Sequence, residues 1–511
     1  RGAARWALVV LVAALDAVTL VWAWSVLSDG LWLLATIGVS VVALLSVALV
    51  RRRAVALRWL LPTVVFMLAF ALAPIVYTGY VATTNYNGTH LLTRQQALDT
   101  LARATYVPEG ATSYAWAAYQ DGDGASAVFL VPSDGSPSLF APQDAEAVEA
   151  APGEGRFGPA DASGFPETVE GYTRLNPVQA VQRINELTAA SYGSLPTTFT
   201  LTSGTSASEV RSSYEIDGST VTDVATGVTY RPTSAGFFES DAGERISPAF
   251  QNVVGLHQLQ RLFADPAVRG PFLGILVWTV LFAVLVVAVQ FVVALLYAVV
   301  LNSSVVHPVV ARVVRSVLLL PYVIPGYLMI LTWASLFNAQ TGLIPSVLQD
   351  LVGLSPGWIG TSTGARAAML FVGVWLGFPY FLLINTGALQ SIPGELLEAA
   401  AVDGAKAWRR FRSIVLPLLL RTIAPLVVLA FAYNFNNFFV AYLLFGGGPP
   451  LAGSQVPAGE TDLLISFTYK LSFGSGNDYA LAAMVTSLIF LALTPIVLSQ
   501  FRYYNAWRKE D

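Results

Sequence analysis

Residues 398–404 and 414–417 read Glu398-Ala399-Ala400-Ala401-Val402-Asp403-Gly404 … Ile414-Val415-Leu416-Pro417, between two strongly apolar segments at 367–390 and 418–443. Pro393 suits the first turn of a helix, where its missing N–H leaves no bond unmade. Glu395 and Glu398 then sit near the positive end of that helix. Ala399 and Ala400 keep one face small, so that a partner surface can close around it. Gly404 permits a sharp turn, and Lys406, Arg409, Arg410 and Arg412 make the following helix basic. On this chemistry alone two readings stand. The element is either a docking site for another protein or an interfacial helix on anionic lipid, which the Arg cluster favours.

Composition says what surrounds it. Of 511 residues, 55% are hydrophobic and 12% charged, against about 25% charged in soluble domains. The chain therefore reads as a polytopic membrane protein. A span needs roughly 20 mainly apolar residues. Eight segments qualify: 6–27, 31–50, 58–80, 271–301, 315–337, 367–390, 418–443 and 480–500. The first reads as a retained helix, since its apolar run exceeds a signal-peptide core and no small-residue cleavage site closes it. Arg1 and Arg5, Arg51, Arg52, Arg53 and Arg58, Arg312 and Arg315, Lys406–Arg412, and Arg502, Arg508 and Lys509 then all fall on one side. By the positive-inside rule that side is the cytoplasm, with both termini there.

The other side receives residues 84–268, which hold 21 of the 32 acids and no Lys. An insertion of this size can bury its own core, so it is expected to fold as an α+β extracytoplasmic domain. Residues 178–190 look helical. Residues 114–120 and 127–131 alternate as strands around Asp121-Gly122-Asp123-Gly124. Residues 212–216 and 228–231 suggest a second strand pair around Asp217-Gly218, and 150–170 is the expected mobile part. The chain thus divides into 1–83 (three membrane helices), 84–268, and 269–511, a five-helix core carrying the loop 393–417. Phe445 to Asp478 forms a second polar outward loop.

Two further constellations lie inside apolar segments. Tyr433-Asn434-Phe435-Asn436-Asn437 places Tyr433, Asn434 and Asn437 on one helix face, with Asn436 elsewhere. An aromatic ring and two amides suit a sugar, though Asn also serves as helix–helix glue. Trp375-Leu376-Gly377-Phe378-Pro379-Tyr380 predicts a kinked or broken helix with Leu376, Gly377 and Tyr380 on one face. Such backbone lines a cavity or merely packs. Pro321-Tyr322-Val323-Ile324-Pro325-Gly326 repeats the theme.

Other chemistries find no support. The chain has no Cys, and His90, His257 and His307 are isolated, so no metal-ligand spacing appears. No Gly-x-x-x-x-Gly-Lys-Ser/Thr loop exists to bind ATP. No catalytic triad or carboxylate pair is evident. Asp121–Gly124 lacks the later ligands of a calcium loop and reads as a hairpin turn. Asp16 is the one acid deep in a span and reads as a packing or interfacial residue. A net charge of −4 gives no pull toward nucleic acid.

The complete pattern E-A-A-x3-G-x9-I-x-L-P resembles the coupling loop of bacterial ABC importer membrane subunits. From about Arg315 to Arg502 the chain resembles the larger, F-type permease subunit of maltose/maltodextrin ABC importers. The shared stretches are Leu-Pro-Tyr-x-x-Pro, Trp-Leu-Gly-x-Pro-Tyr, Asn-Phe-Asn-Asn-Phe and Pro457-Ala-Gly-Glu-Thr-Asp-Leu463. The resemblance implies an all-α, type I importer permease fold of about eight spans in a bacterial cytoplasmic membrane. It implies a second, smaller permease, a dimer of ATPases that carry ATP and Mg, and an external sugar-binding protein as partners. It assigns substrate contact to Tyr322, Leu376, Gly377, Tyr380, Tyr433, Asn434 and Asn437. It assigns ATPase coupling to Glu398, Ala399, Ala400, Gly404, Ile414, Leu416 and Pro417, with no catalytic or metal residue on this chain. Gly326, Gly373 and Ala430 depart from polar contact positions of that family, which leaves another sugar such as trehalose as an alternative. An ion-coupled secondary transporter would place ionisable groups at mid-membrane in the fourth to eighth spans, which contain essentially none. A non-transporting receptor would give the coupling loop no purpose.

Overall fold

The computed structural model describes residues 2–28, 32–50, 60, 63–64, 66–143, 145–194, 197–303, 305–353, 357–474 and 476–507. It contains two compact units. One is formed by the residues up to Gly88 and from Val253 onward, the other by Thr89–Asn252.

In the first unit, four helices among the described residues are long and apolar enough to cross a membrane: Pro266–Leu301, Ser362–Gln390, Ala407–Phe445 and Tyr479–Gln500. Helices Gly2–Ser28 and Trp32–Val50 occupy the first two expected spans, and Leu68–Ala82 the described part of the third. Arg1, Arg51, Arg52, Arg53, Arg58, Arg508 and Lys509 lie outside the described residues. Asp16 is paired across the first hairpin, where Ser46 Oγ donates to its Oδ1 at 2.6 Å.

Two expected continuous spans are interrupted. The fifth consists of Pro308–Leu318, Leu320–Val323 and Gly326–Leu336. Ile324 is extended there (φ −88°, ψ 136°), the conformation a residue before proline prefers. The seventh ends at Phe435 and restarts at Phe438. Asn437 sits at the restart as N-cap, its Oδ1 accepting from Val440 N at 3.3 Å. Short polar side chains compete for backbone donors in this way, so an Asn run inside an apolar stretch divides the helix. The sixth segment does not break. Ser362–Gln390 stays helical through Pro379.

Small residues set the helix spacing. A Cβ on Gly373 would press to 3.1 Å from Val286 and 3.3 Å from Phe282, which lets Pro266–Leu301 and Ser362–Gln390 approach closely. Phe282, Val286, Met369 and Val372 are fully buried there, packed with Ile330, Val440 and Leu444. The segments flanking the insertion belong to this helical unit. Thr84 pairs with Val253, Gln258 Nε2 donates to Thr84 O at 3.0 Å, and Arg261 pairs with Asp478. Leu262 and Val268 join a core with Val81, Phe467 and Val485, which is why the compact insertion is 89–252.

That insertion is built on two antiparallel sheets. Nine strands between Thr105 and Ser212 make the first, centred on Ser113–Asp121 and Ser126–Pro132, which pair from Tyr114↔Pro132 to Gln120↔Ser126. Asp121 Oδ1 accepts from Asp123 N (3.0 Å) and Ala125 N (2.8 Å), so its carboxylate is used by the turn itself. The helical stretch expected over 178–190 forms as two short helices, Pro177–Gln182 and Ile184–Ala189, divided at Arg183. The five-stranded sheet corrects one pairing. Tyr214–Asp217 folds back on Thr220–Asp223, not on 228–231. Gly218 has φ +61°, so the chain reverses at once, and Thr229–Pro232 adds as the next strand. Within 150–170, Phe165 and Val169 are buried and Asp161 is paired to Arg174 at 2.7 Å.

Candidate functional site

The interrupted helices open a cavity of about 640 Å³ in the helical unit. The short helix Leu320–Val323 contributes Tyr322, the intact helix Ser362–Gln390 contributes Leu376, Gly377 and Tyr380, the end of Leu416–Phe435 contributes Tyr433 and Asn434, and the break after it contributes Asn437. All seven residues singled out from three separate stretches of sequence thus line one cavity. Their chemistry is mixed in a useful way. Tyr433 is 70% exposed, so its ring is open to the cavity. Asn434 is 4% exposed and its Nδ2 donates to Ala430 O at 2.9 Å, which fixes the amide and leaves Oδ1 to accept. Asn436 lines a different groove, with Ile465, Thr486 and Phe490, so the separation of its role holds although the helix it was placed on is divided. Gly326, Gly373 and Ala430 also line the cavity and add no polar side chain.

No Asp, Glu, Lys, Arg or His is found among the described residues that line this cavity. It offers aromatic faces, amides and apolar walls, the combination that holds a neutral polyhydroxyl ligand by stacking and hydrogen bonds. Among the described residues it offers no charged side chain.

The second site is the hairpin 394–417. Gly394–Val402 forms a helix none of whose residues is buried, and Glu398 and Ala399 are exposed. Gly404 has φ +76°, the left-handed region that the turn requires, and Ala405 N donates to Ala400 O at 2.9 Å to close it. Ala407–Arg410 follows, then a π-helical turn Phe411–Val415, and Leu416 starts the next long helix with Pro417 in its first turn. Ile414 and Leu416 are half-buried, holding the hairpin to the helix base. Arg410 reaches back to Leu397 O at 3.3 Å. The exposed surface is apolar at its centre, with Val402 88% and Trp408 69% exposed.

A third cluster was missed at the sequence level, where 457–463 counted only as part of a resemblance. Asp462 is fully buried. Its Oδ2 meets Lys470 Nζ and Gly459 N, both at 2.7 Å, and Ser466 Oγ donates to its Oδ1 at 2.9 Å. Burial pushes its carboxyl above the ordinary carboxylate value despite those partners. Gly447, at φ +80°, leaves the room, since a Cβ there would collide with the Asp462 carboxylate. Arg366 binds Glu460 Oε2 at 2.8 Å and lies 4.8 Å from the Trp278 ring centre. One acid, Asp462, four residues before Ser466 and eight before Lys470, was the available signal.

Residues 290–507 match the family described as binding-protein-dependent transport system inner membrane component. Residues 65–138 match the N-terminal region of the TM subunit in PBP-dependent ABC transporters. The maltose/maltodextrin transport system permease protein MalF of Escherichia coli K12 is 34% identical over 459 residues, covering 88% of this chain and 86% of its own. The chain belongs to this family of transporter inner membrane components. MalF of Vibrio cholerae is 32% identical over 475 residues with the same coverage. Family membership makes the chain a multi-pass membrane permease, a transport subunit of an ABC transporter and not an enzyme. The fold is accordingly the type I ABC permease fold with an inserted β-sheet domain.

Proposed function

We propose that this chain forms half of the translocation path for a maltose- or maltodextrin-type sugar in an ATP-driven importer. The observation that carries the reading is the convergence of Tyr322, Leu376, Gly377, Tyr380, Tyr433, Asn434 and Asn437 on one uncharged cavity. Its volume falls within the roughly 300–1,000 Å³ of small-ligand sites. In this reading the sugar ring stacks on tyrosine while the amides bond its hydroxyls. A second, smaller permease completes the path, and a sugar-binding protein delivers the substrate from outside. The hairpin 394–417 docks on a separate ATPase dimer, which holds ATP and Mg and powers the cycle. Glu398, Ala399, Ala400 and Gly404 present that contact, and Ile414, Leu416 and Pro417 tie it to the long helix. In this reading the hairpin and both termini face the cytoplasm, which the basic clusters support by the positive-inside rule, with anionic lipid around them.

The glycines and alanine at 326, 373 and 430 favour a second substrate within the same class, a glucose disaccharide such as trehalose with a different hydroxyl pattern. The test is ATPase activity of the complex, reconstituted with its partner subunits and binding protein, across glucose disaccharides and oligosaccharides. Stimulation by maltose or maltodextrins is the expected result. Stimulation by trehalose alone moves the substrate and keeps the permease, and no stimulation by any sugar overturns the sugar reading.

A further inference from the structure

Gln290 sits in the middle of the apolar helix Pro266–Leu301, is 3% exposed, and lines the cavity. An amide inside such a helix is retained only where its polar atoms find partners. Its Nε2 donates to Gly373 O at 2.8 Å. The carboxamide lies over Gly377, where a Cβ would collide with it. Gly377 therefore leaves a notch that this side chain fills, and Gly373 one turn earlier offers the carbonyl that anchors it. That anchor also decides which way the amide faces. A backbone carbonyl can only accept, so the nitrogen must face Gly373 and the oxygen must face away. Among the described residues no donor reaches Gln290 Oε1.

We propose that Gln290 Oε1 accepts a hydrogen bond from one hydroxyl of the transported sugar, which makes Gln290 a specificity-determining residue of the cavity. This rests on the sugar-permease reading above and names a contact within it. A fixed acceptor selects a hydroxyl over an ether oxygen or a carboxylate at that point of the ligand, because only the hydroxyl can donate. Where the family resemblance leaves Gly373 without a polar side chain, the amide of the neighbouring helix supplies one.

The test uses the full complex in proteoliposomes, with maltose and a panel of mono-deoxy maltoses, comparing wild type with Gln290→Met. The binding protein is the same in both, so the variant-to-wild-type ratio for each sugar isolates the cavity. Expected is an uptake efficiency about tenfold lower in the variant for maltose, and a ratio near one for a single deoxy sugar, the one lacking the bonded hydroxyl. An equal ratio for every sugar overturns the proposal and leaves Gln290 as helix–helix glue. Should Gln290→Met fail to assemble, Gly377→Ala, whose methyl pushes the carboxamide off Gly373, is read by the same ratio. A wild-type complex that takes up another glucose disaccharide and not maltose moves the substrate, and the ratio is then read on the deoxy forms of that sugar. One that takes up no sugar overturns the sugar reading itself, a result distinct from equal ratios in an active complex.

Discussion

The cavity and the coupling hairpin stand at opposite extremes of how a membrane protein holds polar chemistry. In the cavity wall the amides are buried and already half-bonded: Asn434 gives one hydrogen to Ala430 O, and Gln290 gives one to Gly373 O. In the hairpin nothing on Gly394–Val402 is buried, and Val402 and Trp408 present bare apolar surface. A pre-bonded amide has a fixed direction and suits a small ligand of defined shape. Exposed apolar side chains on an element that also carries Glu and Arg suit a protein surface, which supplies the burial that the chain withholds. The two regions therefore answer to different mutations.

The largest effect is expected at the hairpin. Gly404→Pro removes the φ of +76° that Pro cannot adopt, and Glu398→Lys reverses an exposed charge. Both variants should reach the membrane yet reduce uptake to background, measured beside recovery of the ATPase subunits on purification. Normal transport in both would dissolve the contrast, because the hairpin would then be an ordinary surface loop. Next come Tyr380→Ala and Asn434→Ala. Each should lower uptake efficiency about tenfold or more through a lost stacking face or hydrogen bond, with the ATPase subunits still bound. Loss of the ATPase instead would make these residues packing seams.

A third prediction concerns the frame of the cavity. Gly373→Leu forces side-chain atoms into Val286 and Phe282 and should destabilise the assembled complex by about 1–3 kcal/mol, seen as a lower thermal midpoint. A fourth concerns the loop cluster. In Lys470→Met the buried Asp462 loses its counter-charge, so its carboxyl, already raised by burial, rises further. A group with a raised folded value holds its proton to higher pH, so the variant loses stability as pH climbs through that value. Its thermal midpoint should fall below wild type more at pH 8 than at pH 5, and a pH-independent difference would contradict the buried pair. The smallest effect is expected for Asp16→Asn, which keeps an acceptor for Ser46 and should leave uptake within about twofold. A large loss there would revive proton coupling.

Much of this was legible in the sequence because the relevant signals are local. The hairpin rests on Pro393, a charged first turn and Gly404, each of which acts within a few residues. The meeting of Tyr322, Tyr380 and Tyr433 was implied by resemblance, since no periodicity brings three separate segments to one cavity. What escaped was non-local or conditional. The break at Asn436 depends on Asn437 finding Val440 N, which a face-by-face helix reading does not anticipate. Gln290 is one polar residue in an apolar run, and only the fold sets Gly373 and Gly377 across from it. The strand pairing of 214–217 was misassigned because the reversal at Gly218 makes the near partner available before the far one.

The most direct test is the structure of the assembled complex, trapped with its ATPases closed and soaked with maltose. The account predicts sugar density in the cavity, a ring against Tyr433 or Tyr380 and hydroxyls within hydrogen-bond reach of Asn434 and Asn437. An empty or lipid-filled cavity in a complex that demonstrably imports maltose would contradict it.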